Sequence, residues 1–255
     1  MAEYVDYAEY YDFDHDTKID LEFYLEYARQ CRGPILELAC GTGRLAIPIA
    51  EAGFEIYGID LSANMLAICR TKVESKNLTD NVHLTLANIT EFDLERVDFT
   101  LAFIAVRSFM HLFTQQDQIS CLRSVYKHLS PGGLFIIDIY APNYEKLMEK
   151  PDQPFTYRKE FDLPDGHRVV RYDRFIKNDL QNQIQHFEIR FEEFDQTGTL
   201  IRERTLPLDT RYTFRYELQL LLEKTGFEVL EVYRDYDKNP YDGTGEIITV
   251  AQRGR

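Results

Sequence analysis

Residues Ile35 to Ala46, reading Ile-Leu-Glu-Leu-Ala-Cys-Gly-Thr-Gly-Arg-Leu-Ala, constrain this chain more than any other stretch. The apolar run Ile35, Leu36, Leu38 has the length of a buried parallel strand, and Gly41 and Gly43 open a tight loop into a helix. A strand, a glycine turn and a helix N-terminus in succession let a ligand lie against bare backbone at the carboxyl edge of a sheet. The spacing leaves two ligands open. Gly41-x-Gly43-x-x-Ala46 also satisfies the dinucleotide-binding fingerprint, so a nicotinamide enzyme competes with any other nucleotide-binding reading.

The rest of the chain predicts an α/β fold. Ile19, Phe23, Tyr27 and Cys31 recur every fourth residue, which predicts an amphipathic helix over 17–31, closed by Gly33-Pro34. The glycine loop leads into a helix from about Arg44 to Ala52, with Pro48 near its first turn and Gly53 at its end. Strands follow at 54–59, 82–86 and 99–105, with helices at 63–76 and 117–129; Ser62 stands ready to cap the first of these helices. The turn Ser130-Pro-Gly-Gly133 then leads into Leu134-Phe-Ile-Ile-Asp-Ile139. Apolar runs alternating with helices mean a parallel sheet covered on both faces.

Residues 155–213 change texture. Polar and apolar residues alternate, as in Phe187, Ile189, Phe191 against His186, Glu188, Arg190, and turns fall at Leu163-Pro-Asp-Gly166, Asn178-Asp179 and Asp195-Gln-Thr-Gly198. This predicts about four antiparallel strands forming a separate sheet, a cap or a homodimer face. A helix at 216–224 and strands at 227–233 and 247–251 close the α/β pattern. The expected domains are an acidic, tyrosine-rich helical leader (1–32), a Rossmann-like domain (33–150 and 214–255) and the inserted sheet (151–213).

Composition narrows the function. The net charge is −14, and residues 1–30 carry nine acids against two bases, half of the excess. With no Lys/Arg block, the chain is a poor candidate for nucleic acid. The cysteines Cys31, Cys40, Cys69 and Cys121 are scattered without a Cys-x-x-Cys pair, so neither a zinc site nor a disulfide framework is expected, and a reducing cytoplasm fits. No apolar run approaches the ~20 residues of a membrane helix. Asp14-His15-Asp16 reads as solvated acidic leader rather than a metal site, and no metal is expected.

Three residues bear on which nucleotide the loop holds. Glu37 ends the first strand, where a carboxylate repels a pyrophosphate but attracts the ammonium of a methionine moiety. Asp60 ends the second strand, placed to accept both hydroxyls of a ribose in either fold type. Leu86-Ala87-Asn88-Ile89 ends the third strand, where an adenine can be sandwiched and its amine hydrogen-bonded.

With these residues in order, the chain resembles the class I S-adenosylmethionine-dependent methyltransferases. The matching pieces are Glu37-Leu-Ala39-Cys-Gly41-Thr-Gly43, Gly58-Ile-Asp60-Leu61-Ser-Ala-Asn-Met65, Ala87-Asn88 and Leu129-Ser-Pro-Gly-Gly-Leu134, covering about residues 33–141. The inserted sheet and tyrosine-bearing leader are similar to the small-molecule branch that includes amino-sugar N-methyltransferases. The resemblance implies a seven-stranded sheet and S-adenosylmethionine as cofactor. It implies that Glu37 approaches the methionine ammonium, Gly41 and Gly43 pass under the cofactor, Asp60 holds the ribose, and Leu61 and Met65 flank the adenine. Asn88 stands where the family usually has aspartate, its amide oxygen still able to accept from the adenine amine. Ile104 and Ala105 would line the methyl-transfer cleft, and Tyr11 would reach the methionine end. Arg107 and His111, just past the fourth strand, are the acceptor-side candidates, with Tyr140 behind them; His111 would be a general base or orienting group. The expected reaction is methyl transfer to N or O of a small-molecule acceptor. The competing readings are a nicotinamide-dependent oxidoreductase, a cofactor-binding module that transfers nothing, and methylation of RNA.

Overall fold

The computed structural model describes residues 3–254; Met1, Ala2 and Arg255, the outer ends of the expected leader and Rossmann-like domain, lie outside the described residues, as do the side chains of residues 3–6. Contacts divide the chain into two compact units. One contains residues 17–141 and 213–255, the other 1–16 and 142–212, so the leader 1–32 contributes to both.

The larger unit is a seven-stranded sheet. Its strands are β1 (Ile35–Leu38), β2 (Ile56–Asp60), β3 (Val82–Leu86), β4 (Phe99–Ile104), β5 (Leu129–Tyr140), β10 (Phe227–Tyr233) and β11 (Glu246–Arg253), in the order β10-β11-β5-β4-β1-β2-β3. Only β11 runs against its neighbours. The strand order turns back between β1 and β4, which opens a crevice outside their carboxyl ends. One face of the sheet packs on α5 (Gln115–His128) and α7 (Arg215–Lys224) through Phe109, Leu122, Leu221 and their neighbours. The other face packs on α2 (Leu21–Cys31), α3 (Ala46–Glu51) and α4 (Ala63–Ser75) through Tyr24, Phe103, Ile49 and Cys69. Helices on both faces explain why these strands read as unbroken apolar runs.

Two local expectations need correction. The second helix begins at Leu21, not residue 17, and Ile19 is 76% exposed in the turn before it, outside the apolar stripe. Ser130–Gly133 does not stand apart as a turn before β5 but forms a bulge inside it: pairing jumps from Phe99–Leu129 to Leu101–Leu134. Gly132 takes φ +81°, which bends the chain there without a Cβ penalty.

The smaller unit is a four-stranded antiparallel sheet, β6 (Thr156–Asp162), β7 (Arg168–Asp179), β8 (Ile184–Phe194) and β9 (Leu200–Arg211), preceded by the short α6 (Tyr144–Leu147). Helix α1 (Glu3–Asp14) lies on this sheet. Tyr7 and Tyr10 set their rings against Phe191 at 5.5 and 5.1 Å, and Phe13 stacks on Phe161 at 5.9 Å. Tyr10 also donates to Glu193 at 2.7 Å, and Glu193 in turn meets Arg202 and His167. Asp14 corrects a further expectation. It is not solvated leader but a buried carboxylate bonded to the Tyr7 hydroxyl and paired with Arg171. Among the described residues, no helix is long and apolar enough to cross a membrane.

Candidate active site

The glycine loop leaves β1 through backbone that few residues tolerate. Ala39, Gly41 and Gly43 take φ of 55°, 55° and 83°, so the chain turns left-handed at alternate positions, with the Cys40 N–H donated to the Ile59 carbonyl and the Gly43 N–H to the Cys40 carbonyl, both at 3.0 Å. Ala39 does this with a Cβ, at a cost of about 1 kcal/mol that the surrounding packing must hold. Gly43 has a second constraint: a Cβ there would meet Cys69 Sγ at 2.6 Å and Ile47 Cδ1 at 3.0 Å, so α4 seats against the loop only over a bare Cα. Cys40 is buried beneath the loop, its thiol pushed well above the ordinary range by burial, which makes it filler rather than nucleophile.

Glu37 is the anomaly of the loop. It sits in β1 between fully buried leucines with 4% of its surface exposed, and its Oε2 finds no hydrogen-bond partner. Burial raises its pKa to about 8; the Arg44 guanidinium and the Ala46 backbone N–H pull the other way, while Asp20 and Asp60 add to the rise. A buried carboxylate with an unsatisfied oxygen is costly unless something completes it, and a cation is the complement its chemistry asks for. Arg44 does not play that part fully, because it is forked onto Asp20 at 2.7 and 2.5 Å and also donates to the Thr17 carbonyl at 3.1 Å.

Asp60 locks the loop to β2. Its Oδ2 accepts from the Gly41 N–H and its Oδ1 from the Ser62 N–H, both at 2.8 Å. Each oxygen keeps a lone pair, so the carboxylate is oriented and still able to accept from a diol. Burial raises its pKa, opposed by those N–H donors. Leu61 is 45% exposed and Met65 is buried, the two sides of the start of α4, which Ser62 caps through the Met65 N–H. Ala87 and Ile89 are half-buried beyond β3. The Asn88 amide oxygen accepts from the Thr90 N–H at 3.0 Å, an Asx turn that leaves it one lone pair for a ligand amine.

The remaining candidates are placed differently. Ile104 is enclosed in the core, so only its backbone can line a cleft. Arg107 pairs with Glu246 and lies 3.9 Å from the centre of the Tyr140 ring, which is 49% exposed. His111 ends a single 3-10 turn, Ser108–His111, at the carboxyl edge of β4. Tyr11 belongs to α1 in the other unit, where it stacks on His15 at 4.5 Å.

The sequence reading missed Asp138. This fully buried carboxylate near the end of β5 accepts from the Tyr24 and Tyr236 hydroxyls, both at 2.9 Å, and from the backbone N–H groups of Val106 (3.1 Å) and Arg107 (2.6 Å). Val106 and Arg107 both take positive φ, 53° and 61°, a strain that a β-branched valine holds only when anchored. An acid inside the apolar run Phe135–Ile139 was the available signal.

Comparison with known proteins bears on the family. Residues 35–133 match a family described as a methyltransferase domain. A Bacillus subtilis protein described as a methyltransferase, YqeM, is 29% identical over 88% of this chain and 85% of its own length. A glycine/sarcosine N-methyltransferase of Halorhodospira halochloris is 28% identical over 95% and 84% of the two chains. A demethylmenaquinone methyltransferase of Lactiplantibacillus plantarum is 30% identical over 66% and 68%. Among solved structures, the CcbJ methyltransferase of Streptomyces caelestis superposes with a TM-score of 0.80 over 99% of this chain and 98% of its own, at 25% identity.

Proposed function

The chain belongs to the class I S-adenosylmethionine-dependent methyltransferases, and from that premise we propose that it transfers the methyl group to N or O of a small-molecule acceptor by in-line displacement. Membership removes the nicotinamide reading that the glycine spacing left open. The observation that carries the cofactor's orientation is the unpartnered Oε2 of buried Glu37, which fits the methionine ammonium. In this reading Asp60 holds the ribose diol, the Asn88 amide oxygen accepts from the adenine amine, and Leu61, Met65, Ala87 and Ile89 enclose the ring. S-adenosylmethionine supplies an electrophilic methyl on a sulfonium. The chain's own task is to orient the acceptor and keep water out. A neutral amine then needs no base, whereas a hydroxyl draws on a group such as His111.

A nitrogen acceptor is supported by the glycine/sarcosine N-methyltransferase relative, which aligns over 95% of this chain. The net charge of −14 disfavours RNA and suits a cationic or neutral amine. The Arg107–Glu246 pair offers little to an anionic acceptor, because the guanidinium is already engaged. The test is calorimetry with S-adenosylmethionine and with NAD, then mass spectrometry of an amine, hydroxyl and thiol panel incubated with the enzyme. Binding of S-adenosylmethionine and methylation of amines are expected. Tighter binding of NAD, or cofactor binding with no turnover of any compound, would overturn the proposal.

A further inference from the structure

His128, the last residue of α5, is 0% exposed and belongs to none of the groups assigned above. Its two ring nitrogens have opposite partners. Nδ1 lies 2.7 Å from the Ser124 carbonyl oxygen, which can only accept, so Nδ1 carries the hydrogen. Nε2 lies 3.0 Å from the Leu94 backbone N–H, which can only donate, so Nε2 is bare. The imidazole is therefore fixed as one neutral tautomer, and a proton on Nε2 would set two donors against each other.

What His128 holds is the segment that leaves the Asn88 turn. Phe92 is buried with its ring 4.6 Å from the imidazole, and Ser124 Oγ donates to the Thr90 carbonyl at 3.1 Å. Thr90 in turn donates to the Asn88 side chain, and Glu91 N–H closes onto the Asn88 carbonyl at 3.1 Å. One turn of α5 thus grips residues 90–94 at three points, and Asn88 sits at the head of that segment. The charged groups facing the ring are Lys127, which disfavours its protonation, and Asp93, whose Oδ1 lies 4.0 Å from Nε2 but is exposed and bonded to Lys127 at 2.6 Å. Burial leads the shift of the imidazole pKa below its ordinary value.

We infer that His128 is a positioning residue for the adenine subsite, holding the Asn88 turn in shape only while its Nε2 is unprotonated. This rests on the placement of adenine against Ala87–Ile89 proposed above. It gives the enzyme a second pH dependence of cofactor binding, separate from Glu37 in place and in mechanism.

The probe is 5′-deoxy-5′-methylthioadenosine, which has the adenine and ribose but no ammonium, so Glu37 plays no part in its binding. Its dissociation constant is measured by calorimetry between about pH 5 and about pH 8 for the wild type, His128→Gln and Asn88→Ala. Glutamine can offer an acceptor to the Leu94 N–H without titrating. The wild type should bind more weakly toward the acid end, by up to about tenfold once Nε2 is protonated, the factor that one lost buried hydrogen bond supplies. H128Q should bind with a flat profile, and N88A weakly throughout. Because H128Q retains Asp60, a parallel decline in H128Q and wild type would assign the pH dependence elsewhere and overturn the role of His128 alone. Binding unaffected by N88A would overturn the adenine placement itself, and His128's role with it. Should H128Q fail to fold, amide exchange at Leu94 in the wild type decides: protection lost at the acid end supports the inference, and protection kept overturns it.

Discussion

Glu37 makes the most quantitative demand on the proposed site. With a pKa of about 8 in the free protein, it is ionised in about one molecule in ten at pH 7. Pairing with an ammonium needs the ionised form, so cofactor affinity should rise about tenfold per pH unit as pH approaches 8. The gain levels off once Glu37 is ionised, which sets the optimum above about pH 8. Replacing Glu37 by Gln removes a charge-assisted contact of about 1.5–3 kcal/mol, a loss of roughly 10- to 150-fold in affinity at the optimum. It should also abolish the tenfold-per-unit acid limb. The same change has an opposite effect on the free fold. A carboxyl whose folded pKa lies above its unfolded value binds more protons when folded, so it stabilises below pH 4.5 and loses that contribution as pH rises to about 8. Relative to Gln, the native glutamate therefore costs on the order of 3 kcal/mol at pH 7, and E37Q should melt several degrees higher without cofactor. Calorimetry with S-adenosylhomocysteine across pH, beside thermal melts of both proteins, reads the two effects together. Unchanged affinity with an unchanged melting temperature would refute both the ammonium contact and the burial argument.

Three other perturbations test the scaffold. Gly43→Ala should destabilise by about 1–3 kcal/mol in urea unfolding, from its left-handed φ and its clash with Cys69 Sγ; adding Cys69→Ala should recover part of the loss, leaving the backbone component. Asp138→Ala orphans the buried Tyr24 hydroxyl, the half-buried Tyr236 hydroxyl and two strained backbone amides, so it should cost about 3 kcal/mol and speed amide exchange at Val106 and Arg107. Asp138→Asn, which keeps an acceptor oxygen, should cost less. Asp14→Ala leaves Arg171 without its buried partner, and hydrogen exchange should show α1 loosened while β1 to β5 keep their protection.

How much of this was visible in the sequence follows from the range of each interaction. Parallel strands covered by helices declare themselves as apolar runs, and the antiparallel insert declares itself by alternation, so both sheets were legible. The loop was legible for a related reason. Glu37, Gly41, Gly43 and Asp60 owe their placement to the ends of adjacent strands, and strand ends are marked by local residue types. Side chains whose meaning lies in a distant partner were not legible. Nothing near Asp14 announces Arg171, 157 residues away, and nothing in α1 announces that Tyr7 and Tyr10 pack on Phe191. Composition there signalled a solvated segment, whereas long-range pairing made a buried one. Asp138 and His128 share that logic. Each is a polar residue at or near a helix or strand end, a position where the structural default is a solvent-facing cap. Only the fold reveals the four donors that converge on Asp138 and the opposed donor and acceptor that fix the neutral tautomer of His128. The groups proposed to bind the cofactor are thus written in local spacing, while the contacts that fix the backbone around them are ones that no local pattern encodes. The test of that division is that E37Q should change affinity without loosening the fold, whereas D138A should loosen its loop first.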